Sequence, residues 1–138
     1  MVHLTRRYRF AAAHRLHSGS LTAEENARIY GKCNNPYGHG HNYILDVTVA
    51  GPVNPATGMV CDITILDSAV QKEILEPLDR AHLNWDVERF QNQAPTTENL
   101  CIEIYRILLE RLASELSEAS LKKVRLEETS SNFFDYEG

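Results

Sequence analysis

The chain contains two segments in which apolar and polar residues alternate with a period of two, a pattern typical of half-buried β-strands. The first covers residues 8–14 and the second runs from about His41 to Ala50. In the first segment the alternation puts His14 on the same face as three hydrophobic side chains, so we expect it to point toward the covered side of a sheet. Between the two segments, residues 32–40 are rich in Asn, Gly and Pro and predict a loop.

A different period follows the second strand. From Asp62, apolar residues recur every four positions, which predicts an amphipathic helix. Asp62 can cap the start of this helix, and Pro77 is expected to mark its end. A second amphipathic helix is predicted to begin at Thr96 or Thr97, either of which can serve as its N-cap.

The C-terminal part of the chain returns to the period of a strand. Residues 123–128 predict a half-buried strand, and residues 132–136 could form its hairpin partner. The order strand, strand, helix, helix, strand, strand (ββααββ) predicts a single α+β domain over residues 1–138. In this arrangement two helices cover one face of a four-stranded antiparallel sheet. Because such a sheet has two exposed edges, it favours oligomerisation by edge pairing.

Composition excludes several classes of protein. With 138 residues and a net charge of -5, the chain has no basic stripe of the kind that binds nucleic acid. No apolar run approaches the roughly 18 residues needed to span a bilayer, and the N-terminus does not resemble a secretory signal. The three cysteines are an odd number without paired spacing, which suits a reducing compartment. We therefore expect a cytoplasmic protein that binds neither nucleic acid nor a membrane.

The segment His39-Gly40-His41 is a candidate metal site. Residues two apart in an extended chain share a face, so both imidazoles can reach one ion. His14, on the covered face of a strand able to pair with this one, is the candidate third ligand. Three neutral imidazoles with an open fourth position are typical of a catalytic zinc site. The alternative is that His14 is a hydrogen-bonded core histidine and that the His-Gly-His segment is a polar turn.

Two further residues are candidates for chemistry. Cys33 lies in the predicted loop, six residues before His39, where a nearby cation could lower its pKa and make it a base or nucleophile. The alternative for Cys33 is a small packed side chain. Glu128 falls on the apolar face of its strand, where a carboxylate needs donors that a ligand could provide. Its alternative position is the strand end, where it would reach water.

Several longer motifs resemble one protein family. The stretches FAAAHRL, EENARIYGKCNNPYGHGHNY, VNPATGMV, EPLD, TTEN and LEET are together similar to the 6-pyruvoyl tetrahydropterin synthase family. The similarity covers nearly the whole chain in order, and the block CNNPYGHGHNY is its most specific part. The resemblance implies the tunnelling fold, in which trimers form a barrel. It also implies a homohexamer of two stacked trimers with active sites at subunit interfaces.

The resemblance also implies roles for individual residues. His14, His39 and His41 are implied to bind Zn²⁺, and Cys33 is implied to act as the general base. In this family, zinc on the substrate's hydroxyl groups makes them and the adjacent C–H groups more acidic, so that a thiolate can move protons at neutral pH.

Substrate-binding residues follow from the same resemblance. Glu128 is implied to anchor the amino-pyrimidine edge of the pterin, and Thr97 and Glu98 are implied to lie near that pocket. The residues that hold the triphosphate of the substrate are less defined, and the candidates are Arg15, Arg28, Lys32 and Arg80.

The gap between the cysteine and the His-Gly-His segment separates two branches of the family. Five residues lie between Cys33 and His39, which resembles the pyruvoyl-forming branch, whereas 6-carboxytetrahydropterin synthases of queuosine biosynthesis usually have a shorter gap. The implied reaction converts 7,8-dihydroneopterin triphosphate to 6-pyruvoyl tetrahydropterin with elimination of triphosphate, and needs no nicotinamide or flavin. The alternatives are a carboxy-forming or side-chain-cleaving enzyme and a pterin-binding paralogue with impaired turnover.

The chain departs from the family pattern at Arg80. Family members usually carry an Asp-His pair at the positions of Asp79 and Arg80, and that histidine relays protons with the cysteine. Arginine stays protonated in proteins and cannot take this role. We expect His82 to take the vacant place, with Asp79 as its orienting partner. The alternative is that His82 is a solvated loop residue and that Arg80 binds the triphosphate.

Overall fold

The structure, a computed structural model, describes all residues from Met1 to Gly138. Its strands are β1 (Val2–His14), β2 (His39–Gly51), β3 (Ala81–His82), β4 (Ser120–Thr129) and β5 (Asn132–Tyr136). They form one sheet in the order β3-β1-β2-β4-β5. The pairs β1–β2, β2–β4 and β4–β5 are antiparallel, whereas β3 runs parallel to β1.

The sheet contains the four predicted strands and a fifth that was not predicted. β3 has two residues and pairs only with Ala12 and Ala13 near the end of β1. A strand this short cannot display a hydrophobic period, so the four-stranded prediction was incomplete at this edge. β2 also begins earlier than predicted, because His39 already pairs across the sheet with His14.

The two predicted helices are present. The helices of the chain are α1 (Ala23–Tyr30), α2 (Ile63–Val70), α3 (Leu83–Asp86) and α4 (Thr97–Leu112). The side chains of Asp62 and Thr96 accept hydrogen bonds from backbone N–H groups in the first turns of α2 and α4, and so cap them. α2 continues through a π-helical turn at Gln71–Leu75 and a last turn at Glu76–Leu78.

The helix α1 was not predicted, because it has only eight residues and only one of them, Asn26, is buried. Its signal in the sequence is a capping box. Thr22 Oγ1 accepts a hydrogen bond from the Glu25 N–H, and the Glu25 carboxylate accepts one from the Thr22 N–H. A 3₁₀ turn at Gly31–Asn34 follows α1 directly and carries Cys33.

One hydrophobic core of 24 buried residues joins the sheet to α2 and α4. The opposite face of the sheet carries ion pairs, including Arg7 with Asp46 and Arg125 with Asp135. Because side chains alternate between the two faces of a strand, His14 lies on the core side, at the end of β1. No helix of the chain is both long enough and apolar enough to cross a bilayer.

Candidate metal centre

The pairing of β1 with β2 brings the three predicted histidines together. His14 and His39 are direct cross-strand partners, and His41 follows His39 on the same face of β2. The Nε2 atoms of His14 and His39 are 3.2 Å apart. One potential ligand atom from each of the three side chains lies within 4.8 Å of the others.

The ring of His14 is held in one orientation by its buried surroundings. The side chain is 0% exposed, and Nδ1 donates a hydrogen bond to the Pro95 carbonyl oxygen at 2.8 Å. A carbonyl oxygen only accepts, so the proton must be on Nδ1 and the lone pair on Nε2. His14 therefore presents a bare ring nitrogen to the space shared with His39 and His41.

The surroundings of the histidines also favour the neutral imidazole that a metal requires. Burial lowers the pKa of His14 to about 4, with a smaller contribution from the neighbouring His39 and His41, although the hydrogen bond to Pro95 opposes this shift. The pKa of His39 is lowered as well, first by burial and then by His41. Metal ligation by histidine needs an unprotonated nitrogen, so the lowered pKa values of His14 and His39 favour metal binding at neutral pH.

The arrangement fits a tetrahedral metal site. In such a site, two nitrogens at about 2.0 to 2.1 Å from zinc are about 3.3 Å apart, close to the 3.2 Å between His14 Nε2 and His39 Nε2. The Nε2 atom of His41 is buried and has no hydrogen-bond partner. A buried polar atom without a partner costs free energy unless a ligand compensates it. The donor set and this unpartnered atom together indicate a site for a metal ion.

Glu128 lies directly beside the three imidazoles. Its Oε1 atom is 3.4 Å from His41 Nε2 and 3.6 Å from His14 Nε2, and Asn132 Nδ2 donates to its Oε2 atom at 3.0 Å. The side chain is 16% exposed. Of the two positions considered from the sequence, the partly buried one next to the candidate metal centre is therefore the one observed.

Thr97 and Glu98 begin α4 but differ in their surroundings. Thr97 is 2% exposed, and its buried Oγ1 atom makes no hydrogen bond of good geometry, although it lies beside the Tyr43 hydroxyl. Glu98 is exposed to solvent and makes no ion pair within the chain. Thr97 thus has a hydroxyl that a ligand can satisfy, whereas Glu98 is free to meet a partner outside this chain.

The turn that carries Cys33 is fixed to the segment that follows His14. The Leu16 N–H donates to the Cys33 carbonyl oxygen at 2.8 Å, and Asn34 Nδ2 donates to the Leu16 carbonyl oxygen at 2.7 Å. Cys33 itself is half-buried. These bonds hold the cysteine turn against the end of the strand that carries a predicted metal ligand.

The sequence predicted that Asp79 would orient His82, but in the structure the two side chains are not hydrogen-bonded to each other. The Asp79 carboxylate accepts a hydrogen bond from the Ala11 N–H at 2.9 Å, and the Arg80 N–H donates to the Ala11 carbonyl oxygen. Arg80 is exposed and has a positive φ of 64°. Asp79 and Arg80 thus satisfy the backbone N–H and carbonyl groups of Ala11 at the outer edge of β1, just before β3 begins. Neither residue is hydrogen-bonded to the His82 ring.

His82 is also not a solvated loop residue. Its ring stacks on Trp85, with centroids 3.8 Å apart and planes inclined by 10°, and both ring nitrogens are buried without partners. A Cβ atom added to Gly38 would lie 2.9 Å from His82 Nε2 and 2.7 Å from the His14 carbonyl oxygen. His82 Nε2 therefore packs against the glycine that immediately precedes His39.

Several residues that shape the site were not identified from the sequence. The Pro95 carbonyl oxygen that orients His14 and the Asn132 amide that holds Glu128 act through long-range contacts, which leave no local signal. Gly38 has a φ of +78°. Its place in a glycine-rich turn was the one available clue that the backbone there requires a residue without a side chain.

Comparison with known proteins gives consistent results. The sequence profile of 6-pyruvoyl tetrahydropterin synthase matches residues 3–138. The chain is 44% identical to the 6-pyruvoyl tetrahydrobiopterin synthase of Poecilia reticulata, over 99% of this chain and 90% of that protein. It is 46% identical to the enzyme of the same name from Drosophila melanogaster, over 98% of this chain and 79% of that protein.

Solved structures agree with the sequence comparisons. The structure of Caenorhabditis elegans 6-pyruvoyl tetrahydropterin synthase superposes with a TM-score of 0.93 at 42% identity, covering 99% of this chain and 95% of that one. The α+β architecture, with helices packed on one antiparallel sheet, is consistent with the tunnelling fold. The chain belongs to the 6-pyruvoyl tetrahydropterin synthase family.

Proposed function

We propose that the chain is a zinc-dependent lyase that converts 7,8-dihydroneopterin triphosphate to 6-pyruvoyl tetrahydropterin with elimination of triphosphate. The observation that carries this proposal is the convergence of three histidine side chains, from β1 and β2, on one space beside a partly buried carboxylate. The names of the relatives at more than 40% identity support the pyruvoyl product. So does the gap of five residues between Cys33 and His39.

His14, His39 and His41 are the residues that would hold the metal. Three imidazole nitrogens with room for a further ligand suit catalytic zinc. When bound, zinc supplies a positive charge that makes the side-chain hydroxyl groups of the substrate, and the adjacent C–H groups, more acidic. The protein contributes the orientation of the ligands, through the hydrogen bond from His14 Nδ1 to the Pro95 carbonyl oxygen.

Glu128 is the residue that recognises the pterin. An ionised carboxylate accepts hydrogen bonds at both oxygens, which matches the adjacent amino and ring N–H donors of an amino-pyrimidine. Asn132 holds Oε2 at 3.0 Å, and Oε1 points toward the histidines. A pterin anchored on this carboxylate would therefore have its reacting side chain near the metal centre. The buried, unpartnered hydroxyl of Thr97 is a second group for the same substrate.

Cys33 and His82 are the residues that move protons. A thiolate is a suitable base for C–H groups made acidic by a nearby cation. His82 takes the place of the family histidine that Arg80 replaces, because imidazole can both accept and donate a proton whereas guanidinium cannot. Its Nε2 atom lies against Gly38, next to a predicted metal ligand, which supports this role. Asp79 of the same chain is bonded to Ala11 and so contributes to the position of β3.

Assembly as a homohexamer, a dimer of barrel-forming trimers in the cytoplasm, completes the proposal. β1 has no strand partner on its outer edge over residues 2–11, and β5 pairs only with β4. Three successive antiparallel pairings make β5 run opposite to β1. The β5 edge of one copy can therefore continue the antiparallel sheet at the β1 edge of the next, and closure of the ring removes both exposed edges.

The product distinguishes this function from its alternatives. The zinc-loaded protein is incubated with 7,8-dihydroneopterin triphosphate, and the products are identified by mass spectrometry together with a measurement of released triphosphate. We expect 6-pyruvoyl tetrahydropterin and one triphosphate per turnover. A carboxylated pterin with release of a two-carbon aldehyde would assign the chain to the carboxy-forming branch. Tight binding of substrate without any product would indicate a pterin-binding paralogue.

A further inference from the structure

A separate cavity of about 410 Å³ lies beside the metal centre and has an unusual charge balance. Its lining includes Arg15, His17 and His82 together with asparagine, glutamine and serine side chains, and it contains no Asp or Glu. The chain as a whole has 19 acidic and 14 basic residues. A cavity without a single carboxylate in an acidic protein is suited to an anionic ligand, because a carboxylate would repel one.

At three places in the chain, a residue that lines the cavity is next to, or packs against, a residue that forms or supports the metal centre. Arg15, which lines the cavity, follows the ligand His14, and Ala94, which also lines it, precedes the Pro95 carbonyl that orients His14. On a third side, His82 of the cavity packs against Gly38, which precedes the ligand His39. The cavity therefore adjoins the residues that position the metal centre, which is the placement needed for one end of a ligand held at that centre.

Arg15 is held in place but its charge is not neutralised. The side chain of Asn84 clamps its main chain: Oδ1 accepts from the Arg15 N–H and Nδ2 donates to the Arg15 carbonyl oxygen, both at 2.8 Å. The guanidinium Nε donates to the Asn34 carbonyl oxygen at 3.2 Å. No carboxylate forms an ion pair with Arg15. The two outer nitrogens of the guanidinium are thus available as a fork for phosphate oxygens.

His17 provides a second donor next to Arg15. The Asn34 amide nitrogen lies 3.3 Å from His17 Nδ1. Because an amide nitrogen only donates, Nδ1 accepts and the ring proton is on Nε2. No protein group bonds to that Nε2–H. Asn34 therefore orients both basic side chains, through its carbonyl oxygen for Arg15 and its side chain for His17.

Residues 18–20 form a loop at the rim of the cavity, and hydrogen bonds from the buried Asn26 side chain hold this loop in place. Asn26, 0% exposed in α1, accepts a hydrogen bond from the Ser18 N–H at 2.8 Å and donates to the Ser18 carbonyl oxygen at 3.0 Å. A Cβ atom added to Gly19 would have nothing within 4 Å, so the backbone here is open to a ligand. The rim is therefore built before any ligand arrives, which lowers the entropic cost of binding.

We propose that this cavity binds the triphosphate group of the substrate, with the Arg15 guanidinium as the main charged contact and His17 as a second donor. This inference rests on the proposed function for the identity of the substrate. Of the other candidate cations, Arg28 and Lys32 do not line the cavity, and Arg80 lines a different one together with His41. Arg15 is thus the one candidate placed in a cationic cavity that adjoins the metal centre.

Binding of inorganic triphosphate tests the site without any turnover. Calorimetric titration of the zinc-loaded protein should show binding, and Arg15→Ala should weaken it about 10- to 100-fold, the range for loss of a charge-assisted contact. Lys72→Ala removes the same charge from an exposed residue outside the cavity and should leave the affinity unchanged. Zinc content is measured after each titration, because triphosphate can also chelate the metal.

A phosphate-free ligand provides the second test. Arg15→Ala should leave the affinity for 7,8-dihydroneopterin unchanged, since this compound lacks the group that Arg15 contacts, while KM for the triphosphate ester rises. Equal triphosphate affinity in Arg15→Ala and the unmodified protein would overturn the proposal, as would an equal loss for both ligands. If the protein converts the substrate but the Arg15→Ala variant has an unchanged KM, the triphosphate site is rejected and the proposed function stands. If inorganic triphosphate binds through Arg15 but the substrate is not converted, the site stands and the proposed function is rejected.

Discussion

Substitution of Gly38 by alanine should damage the metal centre without removing any of its side chains. The new Cβ atom would lie 2.7 Å from the His14 carbonyl oxygen and 2.9 Å from His82 Nε2. The first contact is with the backbone of β1, which cannot rotate away. The second is with a ring stacked on Trp85. Relief of both contacts must therefore shift the turn that leads into His39.

The expected magnitude has two parts. An L-residue at the observed φ of +78° costs about 1 to 2 kcal/mol in free energy of unfolding. In addition, a shift of a ligand or catalytic group by about 1 Å can lower turnover roughly 10²-fold. Displacement of an orienting contact typically lowers metal affinity about 10- to 100-fold. We therefore expect a modest loss of stability together with a large loss of zinc affinity and activity.

Gly58→Ala is a matched control for the backbone strain. Gly58 has a similar φ of +72°, but a Cβ atom there would meet nothing within 4 Å. Both variants should lose stability in denaturant titrations through backbone strain, Gly38→Ala by more because of its two close contacts, while only Gly38→Ala should lose zinc affinity. Trp85 is the one tryptophan of the chain, so its fluorescence reports directly on the stacking with His82. Zinc affinity, turnover and fluorescence that match those of Gly58→Ala would refute this account of Gly38.

Four further substitutions test the site. His14→Ala should abolish stoichiometric zinc binding, measured by metal analysis, whereas His3→Ala on the exposed end of the same strand should retain it; full occupancy in His14→Ala would reject the ligand set. Cys33→Ala should keep zinc and substrate affinity but lose turnover, because a base acts mainly in the transition state; an unchanged kcat would exclude it. Glu128→Gln should weaken pterin binding in a direct titration, since an amide presents a donor where the pterin also donates, and unaltered affinity would contradict that role. His82→Ala should lower kcat roughly 10²-fold or more with zinc content unchanged. Normal activity of this variant would show that His82 does not transfer protons in the reaction.

Local sequence determined most of the secondary structure and which three histidines are the candidate ligands. The alternation in residues 8–14 put His14 on the covered face, and the structure buries it there completely. Asp62 marked the start of α2, and of the two threonines predicted as caps of α4 the structure uses Thr96. These features are predictable because side-chain direction along a strand and capping at a helix start depend only on residues a few positions away.

The arrangement of the groups around the metal centre was decided by tertiary structure alone. The bond between His14 and the Pro95 carbonyl joins residues 81 positions apart, and that between Ala11 and Asp79 joins residues 68 apart. The predicted pairing of Asp79 with His82 failed because the edge of β1 offered Asp79 a backbone N–H, which a local pattern does not reveal. The cavity that contains Arg15 likewise combines residues 15–20, which follow β1, with Pro36 and with residues 82–94. Such contacts depend on strand register and on the path of each loop across the core, and packing of the whole chain sets both.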